Sequence, residues 1–262
     1  MKQQSISGRG KTSRGKKIAV WSLASLAVVI VIVFVAYSFL MYPPSSIAKE
    51  AMKSDDKVSV MQNGKGYLFE PAGENAAIRE PGVIFYPGGL VEPQSYAPMA
   101  RQLAEAGHRV YIASMPFNLA FTSQNRADHF LDAHSGESYV IGGHSLGGVF
   151  AARYAASHPD AVDGVFFLAS YADEEGSLKD AGLPVLQIGA TNDQVMNAED
   201  WEAGKQYLPA NTEYEVIEGG NHGQFGSYGE QKGDKKADIT GEEQTALVTE
   251  HLLQWMDGIV KQ

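Results

Sequence analysis

The chain has 262 residues, 44% hydrophobic and 20% charged, with a net charge of −10 and no cysteine. That length and balance suit one good-sized globular domain, and the missing cysteine excludes disulfides, thiol catalysis and a lipidated cysteine. The sign of the charge argues against a nucleic-acid partner, whose phosphates an acidic surface repels.

The N-terminus departs from this average. Lys2, Arg9, Lys11, Arg14, Lys16 and Lys17 place six positive charges in the first seventeen residues, without an acid among them. Residues 18–42 then run twenty-five positions without a charge, and fourteen of these are Ile, Leu, Val or Phe. As a helix at about 1.5 Å per residue the run spans about 37 Å, more than a bilayer core of about 30 Å. The expected organisation is a basic cytoplasmic tail over 1–17, a transmembrane signal anchor over 18–42, a linker over 43–56 and a folded domain over 57–262. The six basic residues outweigh Lys49, Lys53 and Lys57 beyond the span, which places the domain outside the cell membrane. A cleaved secretory signal is the alternative, with Ala36-Tyr37-Ser38 as its small-x-small site, but its apolar region should hold only about 7–15 residues. Without the six tail charges the rest of the chain carries −16, since no acid precedes Glu50.

From residue 57 onward β-type and α-type segments alternate. Strands are expected at 57–62 and 67–70, joined by the hairpin turn Asn63-Gly64-Lys65-Gly66. An apolar strand over 83–86 ends in Pro87-Gly88-Gly89. A helix over 95–106 with Gly107 as its C-cap follows, then a strand over 109–114 and a helix over 122–134. Further strands fall at 138–142, 164–169, 183–189 and 213–218, with helices at 146–157 and 198–207. The last helix opens on a capping box, Thr240 with Glu243, and its buried face reads Val248, Leu252, Trp255 and Ile259. Strands separated by helices give a mostly parallel sheet covered on both faces, with eight strands in all. Only a short stretch separates the strands at 164–169 and 183–189, too little for a helical lid.

The central motif is Val140-Ile141-Gly142-Gly143-His144-Ser145-Leu146-Gly147-Gly148. Gly143-x-Ser145-x-Gly147 between a strand and a helix is a nucleophile elbow: the tight reversal exposes the serine hydroxyl, and small neighbours let the chain pass close to itself. A serine hydroxyl needs a positioned base, and the base needs an orienting acid. Asp193 in Asn192-Asp193 and His222 in Gly220-Asn221-His222-Gly223 follow later strand ends, in the order Ser, Asp, His that this architecture uses. Taken alone, Asp193 could cap a turn and His222 could be a surface loop histidine. Asp173, Glu175 and Glu218 are the other acids within range. The oxyanion donors expected are the N–H of Leu146 at a helix start and that of Gly89 or Leu90, while Pro87 has none to give.

Phe85–Pro98 by sequence (Phe-Tyr-Pro-Gly-Gly-Leu-Val-Glu-Pro-Gln-Ser-Tyr-Ala-Pro), Met115-Pro116-Phe117-Asn118-Leu119-Ala120-Phe121 and Gly220-Asn221-His222-Gly223-Gln224-Phe225-Gly226 resemble a compact bacterial branch of the α/β-hydrolase family. That branch is grouped with dienelactone hydrolase-like proteins. The resemblance covers essentially everything after the apolar span and implies the α/β-hydrolase fold and the Ser145, Asp193, His222 set. Dienelactone hydrolases proper use a cysteine, which this chain lacks. Residues 115–121 and 224–225 are expected to border the pocket, with core packing of Phe117 and Phe121 as the alternative. Residues 229–240 read as a solvated loop or a pocket rim. No zinc-ligand motif, phosphate loop or dinucleotide fingerprint stands out, so neither metal nor cofactor is expected. The reading is a membrane-anchored serine hydrolase acting on small or medium acyl esters. The alternatives are a non-catalytic binding or scaffolding ectodomain on the same fold, a thioesterase or an acyltransferase.

Overall fold

The computed structural model describes residues 19–22, 25–26, 28–29, 35, 37–74 and 76–260. The chain divides into two compact units, Met1–Met41 and Tyr42–Gln262. The basic tail lies outside the described residues, as does much of the 18–42 span. Among the described residues no helix is long and apolar enough to cross a membrane.

The larger unit carries one eight-stranded sheet, in the order β1-β2-β4-β3-β5-β6-β7-β8. The hairpin β1 (Val58–Asn63) and β2 (Gly66–Pro71) is antiparallel, and β2 runs antiparallel to β4 (His108–Ala113). From β4 through β3 (Arg79–Tyr86), β5 (Tyr139–His144), β6 (Gly164–Leu168), β7 (Val185–Ala190) and β8 (Glu213–Ile217) all pairs are parallel. Parallel strands need crossovers, and these supply the helices. α1 (Ser46–Ala51) precedes β1; the connections hold α2 (Ala97–Glu105), α3 (Asp128–Ala133), α4 (Leu146–Ser157) and α5 (Ala198–Gly204); and α6 (Gly241–Val260) follows β8.

The central strands are apolar at both parities because both faces are covered. Val83, Phe85, Val140, Phe166 and Leu186 point into one core with Leu103 of α2 and Val248, Leu252 and Trp255 of α6. Ile84, Tyr86, Ile141, Phe167 and Val185 fill the other, with Phe130 of α3 and Phe150 and Tyr154 of α4. Each fully buried side chain of this size contributes about 1.5–3 kcal/mol. At the far edge β8 presents Glu213 and Glu215 to solvent, which discourages pairing with another strand. The last helix is capped as its sequence implies: Thr240 Oγ1 accepts from Glu243 N–H, and Glu243 Oε2 accepts from Thr240 N–H at 2.7 Å. No helix lies between β6 and β7, as the short connection implies.

Two expectations are corrected. Residues 43–56 are not a loose linker: Ser45 caps α1, Ala48 is fully buried, and Arg101 holds the Ala51 carbonyl and the Asp55 carboxylate. The helix expected over 122–134 shrinks to short 3-10 turns followed by α3. The buried Tyr86 hydroxyl takes the Ala127 N–H and donates to the Gln124 carbonyl, and Thr122 Oγ1 donates to the Leu119 carbonyl. These side chains compete with helical bonding at the segment's start. Phe117 and Phe121 are exposed, so the core alternative for them does not hold.

Candidate active site

β5 ends at His144 and α4 begins at Leu146, so Ser145 alone makes the reversal, at φ 51° and ψ −124°. That left-handed conformation is costly for a side chain other than glycine's. It is held from several sides: Ser145 N–H donates to the Leu168 carbonyl, and the Ser145 carbonyl accepts from Ser170 Oγ at 2.6 Å. Ser170 is held in turn by Gln187 Nε2, which donates to its carbonyl. The elbow's glycines are steric necessities. A Cβ at Gly147 would lie 2.1 Å from the Tyr86 carbonyl oxygen, and one at Gly143 would lie 2.6 Å from the same atom.

Asp193 sits just past β7 and His222 past β8, and the structure brings them together. His222 Nδ1 lies 2.8 Å from Asp193 Oδ2, with side chains 1% and 2% exposed. The other oxygen, Oδ1, accepts the N–H groups of Val195 and Met196, so the carboxylate is fixed before it meets the imidazole. A carboxylate at Nδ1 selects the tautomer with its proton there and leaves Nε2 with a lone pair. Nε2 of His222 is buried and makes no hydrogen bond among the described residues, to the Ser145 hydroxyl or otherwise. In unliganded sites such bonds are commonly long and tighten around substrate. The elbow and the base loop meet through His144, whose ring centroid lies 4.5 Å from that of His222.

His144 is a separate element of the site. Tyr96 Oη accepts the Gly88 N–H at 2.9 Å and shares a hydrogen bond with His144 Nδ1 at 2.8 Å. Complete burial, with His222 adding to it, holds its pKa well below the usual histidine value. His108, buried at the start of β4, is lowered as well, again chiefly by burial. Both bind a proton less readily in the folded chain than in the unfolded one, so stability falls as pH drops through the ordinary histidine range. Urea midpoints are expected to be lower at pH 5 than at pH 7.5; a flat profile would contradict the assignment.

The oxyanion expectation needs one correction. The Leu90 N–H is engaged by the Asn118 carbonyl at 2.8 Å, so Leu90 is not a free donor. Gly89 N–H makes no such bond among the described residues, and a Cβ at Gly89 would lie 3.2 Å from Leu146 Cδ2. Of the two expected loop groups, that leaves the Gly89 N–H, close to Leu146 at the α4 N-terminus, without a backbone partner among the described residues.

Residues 229–240 brace the acid and base loops. Asp234 accepts from Gln194 N–H and Gly223 N–H, and Asn192 donates to Asp238 while accepting from Lys235. The base loop is also clasped by α6: the Gln244 amide pairs with both the N–H and the carbonyl of Asn221. A cavity of about 590 Å³ beside this segment is lined by Gln224, Gln231 and Thr245 among others, and includes neither Ser145 nor His222. Among the described residues no cluster could hold a metal ion. Sequence reasoning missed Tyr96, Ser170, Gln187 and Asp234. Only Gln187 carried a signal, as the one polar residue in the strand run Val185-Leu186-Gln187-Ile188.

Residues 82–246 match the family model described as "Alpha/beta hydrolase family". No curated protein matches the chain. Among solved structures, a membrane phospholipase A described as a bacterial virulence factor aligns with TM-score 0.60 at 13% identity, over 94% of this chain and 100% of that one. An alpha/beta hydrolase enzyme from the sediment metagenome of the Mar Chica lagoon, Morocco, gives TM-score 0.57 at 17% identity, over 76% and 98%. An esterase from Mycobacterium tuberculosis gives 0.53 at 12% identity, over 79% and 96%. At these identities the likeness is one of fold.

Proposed function

Because the chain belongs to the alpha/beta hydrolase family, we propose that it is a membrane-anchored serine hydrolase that cleaves carboxylic esters of small or medium acyl groups. Ser145 Oγ adds to the ester carbonyl while His222 Nε2 takes its proton, and Asp193 steadies the imidazolium. The N–H groups of Gly89 and Leu146 receive the oxyanion. Collapse of the tetrahedral adduct breaks the C–O bond, and the alcohol leaves with the proton from His222. Water then repeats the sequence on the acyl-serine and releases the acid. The anchor is the 18–42 segment, with residues 1–17 cytoplasmic and the domain outside.

The observation that carries this reading is the buried Asp193–His222 pair, whose Nε2 has no partner among the described residues, together with the strained elbow conformation of Ser145. A binding domain has no use for a preset base of that kind. The esterase and phospholipase among the similar structures support ester hydrolysis within this fold. A fluorophosphonate probe, which phosphonylates activated serines with loss of fluoride, is expected to label the full-length protein and not Ser145→Ala. Equal labelling of both, or none of the wild type, would favour the scaffolding alternative.

A further inference from the structure

Leu90 joins two features that the proposed reaction does not use. At φ 62° it directs its N–H to the Asn118 carbonyl, 2.8 Å away, and its carbonyl to the Tyr42 N–H, 2.9 Å away. Glu92 N–H returns to the Tyr42 carbonyl at 3.0 Å, and Tyr42 pairs with Val91 as a parallel bridge. Tyr42 is thus stitched to the loop that carries the proposed oxyanion donor, and it is the last residue of the expected anchor 18–42, just before Pro43-Pro44. Whatever path the preceding residues take, they start from this point.

On the other side of Leu90 lies the segment 115–123. Phe117 and Phe121 are 69% and 51% exposed there, while Phe121 packs against Phe150 of α4 with ring centroids 6.3 Å apart. Leu119 of the same segment reaches Gly89: a Cβ placed there would lie 3.9 Å from Leu119 Cδ2. Two exposed phenylalanines therefore belong to the segment that holds Leu90 on one side, while Tyr42 holds it on the other. Residues 110–125 carry no charge at all, within a unit whose net charge is −16. The Phe150 ring that Phe121 touches also carries the Arg153 guanidinium, 4.9 Å from its centroid, with Asp173 and Glu175 paired to it, so the segment can meet lipid with uncharged side chains of its own beside carboxylates that are already paired.

We propose that Phe117 and Phe121 dip into the bilayer that holds the 18–42 anchor, so that the site takes an amphiphilic acyl ester from the membrane rather than from water. The inference rests on the ester-hydrolase reading for its substrate, but the docking can be measured without turnover. The chain has no native cysteine, so Phe121→Cys carries a single polarity-sensitive fluorophore. In full-length protein reconstituted in phosphatidylcholine vesicles its emission should shift to the blue and be quenched by brominated phosphatidylcholine. A label at Val216→Cys, on exposed β8, should stay unquenched. Equal, aqueous-like emission at both sites would overturn the docking even if the enzyme is active.

For the substrate, vesicle-resident umbelliferyl decanoate is compared with umbelliferyl acetate in water. Phe117→Ser/Phe121→Ser should lower the decanoate-to-acetate ratio of kcat/KM at least about ten-fold, the loss expected from removing apolar burial of about 1.4 kcal/mol or more. An unchanged ratio would overturn delivery from the bilayer. If wild type hydrolyses neither ester, the hydrolase reading fails while the quenching result still decides the docking.

Discussion

Replacing Ser145 or His222 by alanine is expected to lower kcat on a responsive ester at least about 10³-fold, or about 4 kcal/mol of barrier. The two changes remove the attacking oxygen and the atom that takes its proton, so neither works without the other. The double variant should therefore lose little more than either single one, with residual rate supplied by the Gly89 and Leu146 N–H groups. Neither change should unfold the chain, because Ser145 is held through its backbone and the Asp193 loop through Val195 and Met196. Steady-state kinetics with circular dichroism on each variant checks both halves. A near-wild-type rate in His222→Ala would show that another group is the base. His144 is poorly placed for that, with Nδ1 on the Tyr96 hydroxyl and a ring that resists protonation.

Asp193→Asn should cost about 10⁴-fold in kcat while leaving the fold intact. The asparagine carbonyl can still accept the Val195 and Met196 N–H groups, so its amide turns NH2 toward His222 Nδ1. Nδ1 must then accept, and the ring proton moves to Nε2, where a base needs a lone pair. Substrate contacts are untouched, so KM should move far less than kcat. Retention of activity within a few-fold would require a different acid. Asp173 and Glu175 are poor substitutes because both pair with Arg153, at 3.0 and 2.5 Å.

The number of strands and most element ranges were legible because both cores impose simple patterns: apolar runs for β3, β5 and β6, and a clear cap and stripe for α6. The elbow was legible for a steric reason, since only glycine fits at 143 and 147. Less was readable where tertiary bonds overrule local preference. Nothing in Thr122–Ala127 as a string announces that the Tyr86 hydroxyl will claim the Ala127 N–H. The Leu90 N–H looked available for the same reason: its partner, the Asn118 carbonyl, belongs to a segment whose left-handed residues Phe117 and Asn118 no pattern predicts. Asp193 and His222 could be named from their order along the chain, but their bond at 2.8 Å and their burial could not. The brace around them, Asp234 and Gln244, lies 12 to 22 residues beyond His222 and shares no periodicity with it.

The clasp of α6 on the base loop sets an order in time. Ser145, Asp193 and His222 are all synthesised before residue 241, yet the Asn221 backbone beside His222 is tied to Gln244. A growing chain therefore contains every reactive group while its imidazole still lacks a seat. On the proposed mechanism the Ser145 hydroxyl would stay an ordinary alcohol until the final helix has emerged and docked. If the chain is threaded outward behind its N-terminal segment, as proposed, competence would then arrive only after the C-terminal residues have crossed.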